Sequence, residues 1–168
     1  MSRLRIALVV LLTGILAAAL LLVSRQQYAP DITFTTLAGK PIALRDLGGK
    51  VVLVNFWATT CAVCAQELPD LVATYRTYAP RGFEIVAIAM PYDRPDWVVG
   101  YVRQRQVPFT VALDYDGTVS RAFGGIDATP TAFLVDKRGT IVRRTIGAPD
   151  FGQLREDIRR ELDRAVKG

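Results

Sequence analysis

A chain of 168 residues that is 51% hydrophobic and 22% charged has the length of one ordinary domain plus a leader, and it can bury enough apolar surface to fold without disulfide staples; disorder is excluded. The formal net charge is +5, but Arg3, Arg5 and Arg25 flank an apolar leader, which leaves +2 on the remainder. Its Lys and Arg are interleaved with acids, as in Arg155, Glu156, Asp157, Arg159, Arg160 and Glu161, so the concentrated basic face of a nucleic-acid binder is missing.

The uncharged stretch Ile6 to Val23 is about 18 residues long and, as a helix, would extend ~27 Å, close to the hydrocarbon thickness of a bilayer. A cleavable signal has a shorter apolar region ending in a small-x-small site. Ala17 and Ala19 fit that pattern only inside the run, which favours a retained anchor. Arg3, Arg5 and the amino terminus outweigh Arg25, so the N-terminus is expected in the cytoplasm and the rest of the chain outside. The expected organisation is an anchor or signal over 1–25, a tether over 26–30 and one domain over 31–168.

Ile32 to Leu44 alternates apolar and polar residues around Ala38-Gly39-Lys40-Pro41, which predicts a hairpin. Val51 to Trp57 (VVLVNFW) is a continuous β-prone run, the pattern of a central strand covered on both faces. Cys64, Leu68, Leu71, Val72 and Tyr75 then recur at helical spacing, with Thr59 or Thr60 as the cap in front. Phe83 to Met90 predicts a second buried strand, Asp96 to Arg105 a helix begun by Pro95, and Phe109 to Leu113 a third strand. This βαβαβ order implies right-handed crossovers and a parallel core.

A short helix is predicted near Val119 to Phe123, followed by a loop punctuated by Gly124-Gly125 and Thr129-Pro130-Thr131. Thr131 to Val135 and Thr140 to Ile146 flank Asp136-Lys137-Arg138-Gly139 as an antiparallel hairpin at the sheet's edge. Leu154, Ile158, Leu162 and Ala165 mark a closing amphipathic helix.

Cys61 and Cys64 are the two cysteines of a chain without histidine. A structural zinc site needs four Cys or His ligands, a haem-attachment motif needs His where Ala65 stands, and a Ser-His-Asp or Cys-His pair cannot be assembled. A CxxC pair at the start of a helix suits redox chemistry. Residues i and i+3 lie within disulfide reach, and the unpaired N–H groups and dipole of the first turn stabilise a thiolate on the first cysteine. Cys61 is then the nucleophile and Cys64 the resolving thiol, in a dithiol/disulfide cycle that needs no metal and no further cofactor. The competing reading is two small buried hydrophobes or an inert structural disulfide, and the preceding buried strand favours redox chemistry.

Three segments carry a resemblance: Asn55-Phe56-Trp57-Ala58-Thr59-Thr60-Cys61-Ala62-Val63-Cys64, Glu67-Leu68-Pro69, and Thr129-Pro130-Thr131-Ala132-Phe133-Leu134-Val135-Asp136. Through them the chain resembles the thioredoxin superfamily, specifically the TlpA/ResA-type membrane-anchored reductases. The resemblance implies an α/β thioredoxin fold with an added N-terminal β-hairpin and a central βα insertion. It also implies a cis Pro130 facing the disulfide, a disulfide-containing protein as substrate, a membrane dithiol as electron donor, and service to cytochrome c maturation or another oxidised cysteine substrate. The domain is expected to act as a monomer. Thr60 stands where the family usually has tryptophan, and Ala62-Val63 lacks the usual proline. The loop ending at Thr129 lacks the Pro-Glu-Thr of dedicated cytochrome-maturation members, which favours a general reductase.

Trp57 beside the site reads as a ring that fills volume and limits water, and with Thr129 and Pro130 it forms the expected substrate-facing set. Asn55 stands where classical thioredoxins carry a buried aspartate, and an amide there is a polar linker rather than a base. Pro69, inside the helix, is expected to kink it. Glu67 falls on the stripe of Cys64, Leu68 and Leu71. It either lies at the margin, reaching solvent or an arginine, or is buried and exchanges a proton with Cys64. Two other functions compete. One is a non-catalytic tethered binding domain. The other is a peroxidase of the peroxiredoxin type, whose Pro-x-x-x-Thr-x-x-Cys motif is broken at Ala58.

Overall fold

The computed structural model describes residues 10–14 and 27–165. Apart from 10–14, which are helical, the apolar stretch Ile6 to Val23 lies outside the described residues, and of the expected tether residue 26 does. Among the described residues no helix is long and apolar enough to cross a membrane.

The domain is built from β1 (Thr33–Thr36), β2 (Pro41–Ala43), β3 (Val51–Trp57), α1 (Ala62–Tyr78), β4 (Phe83–Ala89), α2 (Pro95–Arg105), β5 (Thr110–Leu113), α3 (Thr118–Ala122), β6 (Thr131–Val135), β7 (Ile141–Ile146) and α4 (Phe151–Asp163). The seven strands form one sheet in the order β2-β1-β5-β4-β3-β6-β7. β3, β4 and β5 run parallel, while β1, β2, β6 and β7 are antiparallel to their neighbours, so the sheet is mixed and its centre is the parallel core expected from the βαβαβ order.

The run VVLVNFW is unbroken because both faces of β3 are covered. Val51, Leu53 and Trp57 join the core under α1 and α4 with Leu71, Leu154 and Ile158, whereas Val52, Val54 and Phe56 join a second core with Val119, Phe123 and Phe133. Each fully buried aliphatic or phenyl group contributes about 1.5–3 kcal/mol by leaving water. Period-two alternation places Asn55 on the α1 side of the sheet, in step with Leu53 and Trp57. The chain reverses from α1 into β4 through Ala79–Arg81 and Gly82, whose φ of 92° suits a residue without Cβ.

Element ends differ from expectation by a residue or more at several places, Thr140 ahead of β7 and Phe123 past α3 among them. Met90 lies past β4, and its N–H donates to the Trp57 carbonyl at 3.0 Å; Phe109 precedes β5 as a buried side chain. α4 stops at Asp163, because Arg164 turns to extended backbone (φ −66°, ψ 125°), and this leaves Ala165 exposed beyond the helix. The N-cap of α1 is Cys61, not Thr59 or Thr60. α1 runs through Pro69 as one helix, so the expected kink does not break it.

Candidate active site

The end of β3 delivers Trp57, and the turn 58–61, closed by Cys61 N–H to the Ala58 carbonyl at 3.1 Å, delivers Cys61 to the start of α1. There Cys61 is half-buried with its sulfur accepting the Cys64 N–H at 3.1 Å, while Cys64, one turn further in, is only 5% exposed. The two form a disulfide with Cα atoms 5.3 Å apart. First-turn N–H groups have no partner within their helix, so a sulfur placed on one of them gains exactly the stabilisation a thiolate needs.

Across from Cys61, the loop before β6 brings Thr129 and Pro130. The Thr129–Pro130 bond is cis, and the Thr129 carbonyl oxygen lies 3.4 Å from Cys61 Sγ. In the disulfide this is a contact, since no S–H remains; a reduced Cys61 thiol can donate there. The Pro130 carbonyl accepts the Gly147 N–H at 2.7 Å, which ties the loop to the end of β7.

Behind Cys64 lies a second group. Glu67 is 4% exposed, and its Oε1 accepts a hydrogen bond from Asn55 Nδ2 at 3.2 Å, while Oε2 has no protein partner. Burial pushes the Glu67 carboxyl up to about 7 against the smaller opposing effect of the Asn55 hydrogen bond. Of the two readings of Glu67, the margin position with a nearby arginine is therefore not adopted. Its carboxyl helps to line a cavity of about 20 Å³ with Asn55, Trp57, Cys64 and Tyr101, which is room for about one water molecule. Trp57 is 7% exposed, and its ring packs on Tyr101 of α2 with centroids 5.3 Å apart. Trp57 thus walls the buried side of the disulfide, while the half-buried Thr129 meets Cys61 through its carbonyl and Pro130 is itself buried.

Two features escaped the sequence reading. The Asn55–Glu67 pair follows from joining the alternation of β3 to the stripe of α1. Asp93, in the β4–α2 connection, accepts from both the backbone N–H and the hydroxyl of Thr59, each at 2.6 Å, and no local motif announces that contact. Among the described residues no cluster of His, Cys, Asp and Glu could hold a metal ion.

Residues 26–144 match the model of the AhpC/TSA family. The chain is 38% identical to the thiol-disulfide oxidoreductase ResA of Bacillus thuringiensis subsp. konkukian over 79% of its length and 75% of that protein. Among solved structures, a thiol:disulfide interchange protein of the thioredoxin family from Chlorobium tepidum superposes with a TM-score of 0.75 at 31% identity, covering 83% of this chain and 98% of the other. The solution structure of a thioredoxin from Neisseria meningitidis superposes with a TM-score of 0.77 at 36% identity, covering 83% and 93%.

Proposed function

The chain belongs to the AhpC/TSA family and is a thioredoxin-fold thiol-disulfide oxidoreductase of the ResA type, and from that premise we propose that it works as an extracytoplasmic reductant of protein disulfides. The observation that carries this reading is the asymmetry of the pair: Cys61 is half-buried at the helix start beside the Thr129 carbonyl, and Cys64 is buried beside Glu67.

In the reducing direction, the Cys61 thiolate attacks one sulfur of the substrate disulfide. A mixed disulfide forms and the first substrate thiolate leaves. Cys64 then gives its proton to the Glu67 carboxylate, and its sulfur attacks Cys61 Sγ. The second substrate thiolate departs, takes up a proton, and leaves the Cys61–Cys64 disulfide. Two electrons pass from the dithiol to the substrate. A group poised near neutrality suits proton exchange with a thiol, and Glu67 lies in that range. The substrate strand lies against Thr129, with Pro130 beneath it, while Trp57, which was expected to face substrate, is 7% exposed and backs the disulfide from inside.

The same reading makes 1–25 a single-pass anchor in the bacterial inner membrane, 26–30 a tether and 31–168 a monomeric redox domain on the periplasmic side, recharged by a membrane dithiol donor. Its support is the length of the uncharged run Ile6 to Val23 and the arginines ahead of it. The loop from Gly124 to Thr129 favours a general reductase over one dedicated to cytochrome c maturation.

The test is trapping. Cys64→Ser leaves a mixed disulfide on Cys61 that cannot be resolved, so proteins captured in the native cell through a bond released by dithiothreitol are the substrates. Capture by Cys61→Ser through Cys64 instead would reverse the two roles, and the absence of mixed disulfides with either variant would remove the reductase reading.

A further inference from the structure

The turn that presents Cys61 is fastened by a carboxylate that the reaction above does not use. Asp93 is 8% exposed, and its Oδ2 and Oδ1 accept from the N–H and the hydroxyl of Thr59, two residues before Cys61. The loop that carries it is itself fixed. The Asp93 N–H donates to the Met90 carbonyl at 2.9 Å, and the Met90 N–H donates to the end of β3.

Among the described residues Asp93 takes part in no salt bridge. The adjacent Arg94 is turned to Asp96, at 2.8 Å, and lies over the Trp97 ring. A buried carboxylate held only by neutral donors is costly, and an asparagine could satisfy Thr59 in the same geometry, accepting from its N–H and donating to its hydroxyl oxygen. Geometry alone thus does not call for a charge here.

We propose that Asp93 is a positioning residue that holds the Thr59 turn and whose negative charge sets the redox poise of the Cys61–Cys64 pair. A negative charge beside the turn opposes the Cys61 thiolate, disfavours the dithiol relative to the disulfide, and makes the pair a stronger reductant. This rests on the reading of Cys61 as the nucleophile. Other ionisable groups on the elements around Cys61 include Cys64 and Glu67 in the first turns of α1 with Asp70, Tyr75, Arg76 and Tyr78 further along it, Tyr92 beside Asp93, Arg94 and Asp96 at the start of α2 with Tyr101, Arg103 and Arg105 further along it, and the exposed Asp127 before Pro130. The effect of Asp93 is therefore read as a difference between variants that leave all of these in place.

The experiment equilibrates the full chain with glutathione, in which the enzyme disulfide and two glutathione thiols give the enzyme dithiol and one glutathione disulfide. It is paired with the pH dependence of Cys61 alkylation. Asp93→Asn, which keeps the clamp and removes the charge, is expected to shift the equilibrium about threefold to tenfold toward the dithiol and to move the alkylation midpoint to lower pH. A tenfold shift is ~30 mV. Thr59→Val keeps the charge and removes one contact, and is expected to stay within about twofold of wild type. An Asp93→Asn protein indistinguishable from wild type, or a Thr59→Val protein displaced equally far, would overturn the proposal while leaving the reductase reading intact. A wild-type chain that fails to exchange with glutathione would remove that reading, and this proposal with it.

Discussion

α1 and α4 each bury a carboxylate at the same place in their apolar stripe. Glu67 follows Cys64 by three residues and precedes Leu71 by four, as Asp157 follows Leu154 by three and precedes Glu161 by four. Their exposures are 4% and 1%. Glu67 faces a neutral amide and keeps one oxygen without a protein partner. Asp157 is gripped by Arg143, by Arg160 at 2.6 Å and by Gln153 at 3.3 Å. For both, burial is the largest influence and pushes the carboxyl up. At Asp157 the hydrogen bonds and charges of Arg143 and Arg160 together reverse it and hold the group below the ordinary carboxylate range, whereas at Glu67 nothing does. The pairing, rather than the depth of burial, separates a carboxylate that stabilises the fold from one that is free to trade protons.

The widest gap between the two should be in their response to pH. The Glu67 pKa rises from 4.5 unfolded to about 7 folded, so the folded state binds the proton more tightly. The Glu67 contribution to stability is fully present below the unfolded value and is lost as pH rises through 7, by on the order of 3 kcal/mol. The chain has no histidine, so few other groups titrate in that window. Denaturant unfolding of the oxidised protein is expected to show a fall in stability between pH 5 and 8, and Glu67→Gln should flatten it. The same variant should lower the pKa of Cys61 and slow resolution of the mixed disulfide about tenfold, less than the ~10²–10⁴ of a general base because water can substitute. Equal pH slopes and superimposed resolution curves for the two proteins would place Glu67 with Asp157 as a structural acid.

How much of this contrast can be read from sequence depends on the range of the interactions involved. The strand Val51–Trp57, the cysteine pair and the stripes of α1 and α4 are local patterns, and all were legible. The stripe rule also put Glu67 in doubt correctly, since a carboxylate at that spacing is either buried or marginal. It could not say which, because the answer depends on Asn55 arriving from β3. On α4 the acids and arginines read only as interleaved charges, yet Asp157 and Glu161 are buried beneath their partners. The cap of α1 was misplaced for a related reason. Thr59 has the right side chain to cap a helix, but Asp93, 34 residues away, holds its hydroxyl, and Cys61 sulfur takes the capping position instead.

The counterpart on α4 has the opposite sign and a smaller size. Asp157 is held below its ordinary range, so its contribution is present above the unfolded pKa and lost as pH falls through the folded one. Asp157→Asn is expected to cost about 1–3 kcal/mol at neutral pH, a figure kept low because both arginines are nearly half exposed, and to converge with wild type in acid. Urea unfolding at pH 7 and pH 3 checks this. The glutathione equilibrium constant should stay unchanged, and a displaced constant would mean that the two buried acids are coupled through the sheet.

The smallest effect is expected from removing a single arm of that network. Arg160 bridges Asp157 at 2.6 Å and Glu161 at 3.2 Å, but its own side chain is 49% exposed. Water can therefore solvate the guanidinium in the folded state and weakens both pairs, and ordering a long side chain opposes them further. When Arg160 is truncated, Asp157 keeps Arg143 and Gln153, and Glu161 keeps Arg164 at 2.8 Å, so neither carboxylate is left buried and alone. Arg160→Ala should therefore cost only about 0.5–1 kcal/mol in denaturant unfolding at pH 7, and less in high salt, where screening weakens what the partly exposed pair contributes in wild type. A loss of 3 kcal/mol or more would mean that Asp157 depends on this one cation, and that its difference from Glu67 rests on a single partner rather than on a redundant set.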